Sequence, residues 1–308
     1  MTLTDHTTHD VETARADWQR WREERDAGLA APYDWLSVAA YHWITATGEE
    51  QADHPATVPG SWWVTDGALH VRTTPEDGLV LLTSDGEAQP APLDGVASVV
   101  VDEAGAHRFA TIGEGALDEN GPVLVEVLRR GGYYALRLRD PQAGAREEFT
   151  GVPVFDYDPA WVIDVELQPY DEARAVRVKA AAPGLEQLAT AVGEVVLQRD
   201  GREYRLVATG RGGSWSLSFT DATSGVLTSA WRAVPIDGDP ATGHGTIDFN
   251  RAINYPYAFS DYGTCPRPVA GNHLDLEVTA GEKAPAGRTG VPPTEGGPTA
   301  LPGEQLLP

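Results

Sequence analysis

Asp248, Asn250, Arg251 and Asn254 crowd into one short stretch, DFNRAIN. An arginine offers a planar fork of donors that grips a carboxylate or phosphate through two parallel bonds. A neighbouring aspartate either holds that fork or serves as a general base. Asparagine amides orient a ligand, or they cap turns such as the one ahead of Tyr255-Pro256. Two explanations therefore compete. In one, Arg251 grips a small anionic or polar molecule while Asn250 and Asn254 orient it. In the other, Asp248 pairs with an arginine inside the fold and the amides brace the loop. The chain holds 46 acidic residues against 23 basic ones, so an arginine meets a carboxylate readily.

A second set, Asp221, Thr223 and Arg232, lies in FTDATSGVLTSAWRAVPI. The DATSG stretch is a polar turn that Asp221 and Thr223 would close without any ligand. Arg232 stands among apolar residues, where a charge is costly unless paired. A buried pair with Asp221 or Asp248 and a grip on an anionic ligand both satisfy it. Cys265 would need a neighbouring imidazole, His244 or His273, to act as a nucleophile, and a lone cysteine is commonly packing. The eight histidines show no HxH or HExxH spacing, and neither GxGxxG, a P-loop nor GxSxG occurs. No metal site and no cofactor are expected.

The elements that must position these residues are mostly strands. From Ser61 onward polar and apolar residues alternate, punctuated by Asp66-Gly67, Gly131-Gly132 and Asp200-Gly201, dipeptides suited to tight hairpins. About fifteen short strands are expected, HLDLEVTA among them. They imply an all-β protein of antiparallel sandwich-like or barrel-like sheets. Ahead of them, Val11, Ala14, Trp18 and Trp21 share one helical face, which predicts a helix from about Val11 to Gly28 with Asp10 as N-cap, packed on the sheets. PYDWLSVAAYHWI fits either a short helix or an extended anchor. Trp62-Trp63 and Tyr133-Tyr134 should each place one ring in a core and one outward, where it packs on the sheet or stacks on a ring-shaped ligand such as a sugar. The expected organisation is a loose start at 1–9, the helix and a first β-region over 10–155, and a second β-region over 156–283. The first and second regions meet at GVPVFDYDPAW, either as two cores or as one shared core. A disordered Pro/Gly-rich tail over 284–308 follows.

A net charge of −23 repels phosphate backbones and anionic lipid headgroups, so nucleic acid and membranes are not expected partners. No stretch of about 18 apolar residues offers a span, and the start lacks the basic-then-apolar order of a signal peptide. With its single cysteine, the chain is expected to be cytoplasmic.

RRGGYYALRLRD followed by FTGVPVF, then FTDATSGVLTSAWR, then DFNRAINYPYAF…CPRPVAGNHL…AGEK carry a resemblance. From the Trp35-Leu36 segment to Glu282 the chain resembles an uncharacterised bacterial family, domain of unknown function 1684. That resemblance implies no activity. Against the family pattern, Tyr257 stands where similar proteins often have cysteine, and Ser229 where they often have tyrosine. The loop after Cys265 has fewer prolines. If the family uses a cysteine pair as a disulfide or metal clamp, this chain cannot supply it.

Three functions follow from the residues. One is a module binding a small anionic or polar metabolite through Arg232, Asn250, Arg251, Asn254 and Asp221. Another is a metal-independent hydrolase or lyase with Asp248 as base and an arginine stabilising negative charge. The third is a structural β-protein that meets another chain by a sheet edge.

Overall fold

The structure, a computed structural model, describes residues 3–211, 213–288, 290 and 292. It is an all-β protein with sixteen strands among the described residues and one long helix, α1, Leu3–Leu29. The chain divides into two compact units. Among the described residues, one contains α1 up to Ala27, Thr150–Ala181 and those from Glu186 onward; the other contains Gly28–Phe149 and the short loop Ala182–Leu185.

The helix begins at Leu3, earlier than the expected start, so Asp10 lies within it and does not cap it. Residues 3–9 contain neither glycine nor proline, and extending a nucleated helix by a residue costs little. Its packing face is the expected one. Trp18 is buried, and Val11, Ala14, Trp21, Arg22 and Arg25 are half-buried along the same stripe.

In the Gly28–Phe149 unit, a single turn at Trp35–Ser37 leads directly into β1, so the PYDWLSVAAYHWI segment is both short helix and strand. The strands are β1 Val38–Ile44, β2 Ser61–Thr65, β3 Ala68–Thr73, β4 Leu79–Leu81, β5 Gly95–Val99, β6 Ala106–Ile112, β7 Val123–Arg130 and β8 Tyr133–Arg139. They form an antiparallel sheet in the order β1-β8-β7-β6-β4 and a smaller one, β2-β3-β5. The turn joining β2 to β3 places Asp66 at φ 50° and Gly67 at φ 76°, the two left-handed positions that a twisted two-residue hairpin demands. Trp62, Leu69, Val71, Phe109, Val125 and Leu136 fill the core.

Alternation works for Tyr133 and Tyr134: Tyr134 is buried and Tyr133 partly open. It fails for the tryptophans. Both Trp62 and Trp63 are buried, because His70 stacks on the outer ring at 5.4 Å and 12°. The same unit also buries charge. The Nε of Arg137 and that of Arg139 each lie 2.7 Å from Glu126 Oε2, with both guanidiniums over the Trp35 ring. Burial raises the Glu126 carboxyl, but the two arginines outweigh it and hold the group below its ordinary value.

The other unit is a closed antiparallel barrel. Its strands are β9 Val162–Lys179, β10 Glu186–Arg199, β11 Arg202–Arg211, β12 Ser214–Asp221, β13 Arg232–Asp239 and β14 His244–Asp248. Sequential pairing runs from β9 to β14, and β14 returns to pair with β9, closing the ring. Closure leaves no free edge around the barrel. Ile163, Val165, Val195, Leu206, Leu217, Phe219, Val234 and Ile247 point inward. Short strands β15, Ile253–Asn254, and β16, His273–Leu274, add to β13 and β12.

HLDLEVTA is a strand only at His273–Leu274. Its later carbonyls, those of Val278 and Ala280, turn instead to Arg232. Most of the expected tail lies outside the described residues.

Candidate functional site

The DFNRAIN segment closes one end of the barrel. Asp248 ends β14 and caps the turn Phe249–Arg251. Its Oδ1 accepts from the backbone N–H of Asn250 at 3.0 Å and from Asn250 Nδ2 at 2.9 Å. Its Oδ2 accepts from Arg251 Nε at 3.3 Å. A carboxylate with both oxygens so engaged suits a cap better than a proton acceptor. Asn250 is buried and reaches across to Asp158, donating to its carbonyl at 2.9 Å and accepting from its N–H at 3.0 Å. This amide performs the work of a strand partner between two segments far apart in sequence.

Asn254 on β15 lies opposite Arg232. Its Nδ2 donates to the Lys283 carbonyl at 2.8 Å, and its backbone N–H donates to Glu282 Oε2 at 2.6 Å. Arg232 is fully buried. Nη2 donates to Asp221 Oδ2 at 2.7 Å and to the Val278 carbonyl at 3.0 Å, and Nη1 to the carbonyls of Ala280 at 2.6 Å and Glu282 at 3.2 Å. Three carbonyls on alternate residues thus converge on one guanidinium, and this is why HLDLEVTA does not continue as a strand. Asp221 Oδ1 accepts from the Thr223 N–H at 2.5 Å and also from the Thr223 hydroxyl. Arg232 and Asp221 expose no surface to a ligand; their geometry is that of a buried clamp.

Asn272 repeats the theme on another face. Its amide accepts from Val207 N–H at 2.8 Å and donates to the carbonyls of Val207 at 2.8 Å and Ser218 at 2.9 Å. Cys265 is buried. Burial raises the phenols of Tyr255 and Tyr257, and Cys265 adds to both. Tyr257 stacks on Trp231 at 3.8 Å between centroids, and its hydroxyl both accepts from the Trp231 N–H and donates to the Trp231 carbonyl, each at 2.8 Å. Position 257 therefore carries a packing and hydrogen-bonding role here. The Nδ1 of His273 lies 2.9 Å from the Thr220 hydroxyl. Among the described residues, no group of His, Cys, Asp and Glu is arranged to hold a metal ion.

Of the polar DFNRAIN residues, Arg251 reaches furthest into solvent, with Asp248 beside it partly exposed. The Arg251 side chain is 30% exposed, and only Nε is engaged in a hydrogen bond among the described residues. The guanidinium lies over the Trp21 ring of α1 at 5.3 Å. Beside it, Arg15 of α1 donates to the Tyr157 carbonyl at 3.2 Å and lies over the Tyr157 ring at 5.5 Å. Burial raises the Tyr157 phenol, Asp248 adds to that, and Arg251 and Arg15 pull it down. Arg15 is exposed and Arg251 half-buried on a strongly acidic chain, whereas the Tyr157 ring under Arg15 is itself buried. Sequence reasoning missed Arg15 and Tyr157, although Arg15 lies one turn before Trp18 and so beside the packing face.

Arg25 and Glu282 were missed as well. Arg25 Nε lies 3.1 Å from Glu282 Oε1, and its Nη2 donates to the Asn254 carbonyl at 3.1 Å. Burial raises the Glu282 carboxyl above its ordinary 4.5, and Arg25 only partly offsets that. A raised carboxyl stabilises the fold fully below its unfolded pKa and loses that contribution as pH rises through the folded pKa. Glu282→Gln mimics the protonated form. Its melting temperature relative to wild type should therefore climb between pH 4.5 and 7 in parallel calorimetric scans. A flat or falling difference would show that Arg25 fully compensates the charge.

No helix is long and apolar enough to cross a membrane among the described residues. No curated protein matches the chain. An uncharacterized protein of Haloarcula marismortui, solved by solution NMR, is 26% identical with a TM-score of 0.37; the match covers 45% of this chain and 78% of that one. The resemblance drawn from Trp35 onward is found over a shorter stretch, which still holds Asp221, Arg232, the DFNRAIN segment and Glu282. Residues 147–283 match the model described as "Protein of unknown function (DUF1684)".

Proposed function

We propose that the protein binds a small anionic or polar metabolite at the exposed edge of the 248–272 segment, with Arg251 as the grip. The observation that carries this reading is the state of the Arg251 side chain. It is anchored by one bond to Asp248, backed by Trp21, partly exposed, and keeps its Nη edge uncommitted among the described residues. Arg15, exposed on α1, supplies a second positive charge, and both arginines act on the buried Tyr157 phenol. Asn250, Asn254, Asp221 and Arg232 support the loop from inside and do not touch the ligand. A hydrolase or lyase reading has less behind it, because the oxygens of Asp248 are already occupied. The many internal pairs favour pure architecture as the second reading.

Paired measurements separate the two. Citrate and inorganic phosphate are titrated calorimetrically into wild type, Arg251→Lys and Arg251→Met. Arg251→Lys should keep the melting temperature and weaken binding by about tenfold, because a point charge cannot reproduce a two-bond fork. A protein destabilised by Arg251→Met that binds either anion as wild type does would leave the segment as architecture.

A further inference from the structure

We propose a second ligand site in the Gly28–Phe149 unit: a pocket for one neutral polyhydroxylated ring, of monosaccharide or cyclitol type. The pocket, about 230 Å³, lies between the end of β1, the β2–β3 turn and the β7–β8 turn. At about 30 Å³ per liquid water it exceeds what a few solvent molecules need and suits one small ring.

Its walls are held from behind. Asp53 Oδ2 accepts from the backbone N–H groups of Thr45 at 2.6 Å and Ala46 at 2.9 Å. The Tyr134 hydroxyl donates to the Gly67 carbonyl at 2.8 Å and accepts from the Val101 N–H at 3.2 Å. Glu103 accepts from Gly131 and Gly132 in the β7–β8 turn, at 2.7 and 3.0 Å. The backbone of all three wall segments is thereby fixed before any ligand arrives, which lowers the ordering cost of binding.

The side chains that line the pocket are the reverse: uncommitted. Thr45, Thr47 and Thr65 contribute hydroxyls and Asp66 a carboxylate, and none has a side-chain hydrogen bond among the described residues. A ring of hydroxyls needs such a mixture of donors and acceptors. Tyr133 supplies an aromatic wall, positioned edge-to-face by Trp43 at 6.1 Å and 77°. An aromatic ring buries the C–H face of a sugar while polar groups take its hydroxyls. No lining residue is cationic and Asp66 is anionic, so this pocket disfavours the anions that Arg251 would attract. The two sites differ in unit and in chemistry, and one can fail without the other.

The test is saturation-transfer NMR and titration on the full chain with D-glucose, D-galactose and myo-inositol, against inorganic phosphate and ethanolamine. Asp66→Asn keeps a residue at home in the left-handed conformation, so the hairpin survives while the charge goes. Tyr133→Leu removes the ring independently. At least one polyol should bind at millimolar concentration, and each variant should weaken it by about tenfold, the loss expected for one charge-assisted bond or one ring contact. The melting temperature of Asp66→Asn should stay put. The proposal is overturned if no polyol binds at millimolar levels, if ethanolamine binds in preference to all three, or if both variants bind as wild type does.

Discussion

Asp221→Asn should destabilise the protein by about 3–5 kcal/mol, enough to unfold much of it under conditions where wild type is native. The reason lies in what it leaves behind. Neither side chain of the Asp221–Arg232 pair has any exposure, and their contact is 2.7 Å. Burial already pulls the Arg232 pKa down, with Asp221 the main opposing influence. An amide in place of the carboxylate strands a buried charge, and the guanidinium also ties down the carbonyls of Val278, Ala280 and Glu282. The whole 278–282 segment would lose its anchor. Arg232→Met should be comparably harmful, because it orphans the same three carbonyls and a buried carboxylate. A double variant, Asp221→Asn with Arg232→Met, should recover part of the loss, since neither charge is then unpaired. Urea unfolding of the four proteins measures the coupling. A change below about 1 kcal/mol for Asp221→Asn would mean that the clamp is not what holds the segment.

The second large effect belongs to α1. Trp18→Ala should cost about 3–5 kcal/mol, the range for removing a buried tryptophan. Trp18 is 5% exposed, its Nε1 donates to the Asn250 carbonyl at 2.8 Å, and its ring lies 5.7 Å from that of Tyr157. Removing residues 1–27 should cost more. The helix also provides Arg22 to the Val152 carbonyl at 3.2 Å, Asp26 to the Val152 N–H at 3.1 Å, and Arg25 to Glu282. Without Arg25, Glu282 is a buried carboxylate with its cation gone. Glu282→Gln should therefore partly rescue the truncated chain while doing much less in the intact one at the same pH. Scanning calorimetry on the four combinations checks this. A truncated chain that melts with wild type would make the helix a free appendage.

Turns and periodicity were legible from the residues. Asp66-Gly67 and Asp200-Gly201 fix hairpins because only a few residue types tolerate positive φ, and that preference acts within the turn itself. Alternation of apolar residues places strands for the same local reason, and the spacing of Trp18 with Val11 and Ala14 identifies the helix face. The chemistry-bearing residues of the DFNRAIN segment were also visible as a group. Their roles were not. Asp221 and Asp248 were equal candidates to hold Arg232, and only the β12–β13 pairing that sets Phe219 opposite Arg232 puts Asp221 within reach. Arg25 and Glu282 are 257 residues apart, so no local pattern joins them. Closure of the barrel through β14 and β9 is likewise a choice among distant edges. HLDLEVTA shows the limit most directly: its alternation is that of a strand, yet its carbonyls bond a guanidinium from β13. Side-chain periodicity records which residues are buried, whereas the destination of a backbone carbonyl depends on what long-range packing brings beside it.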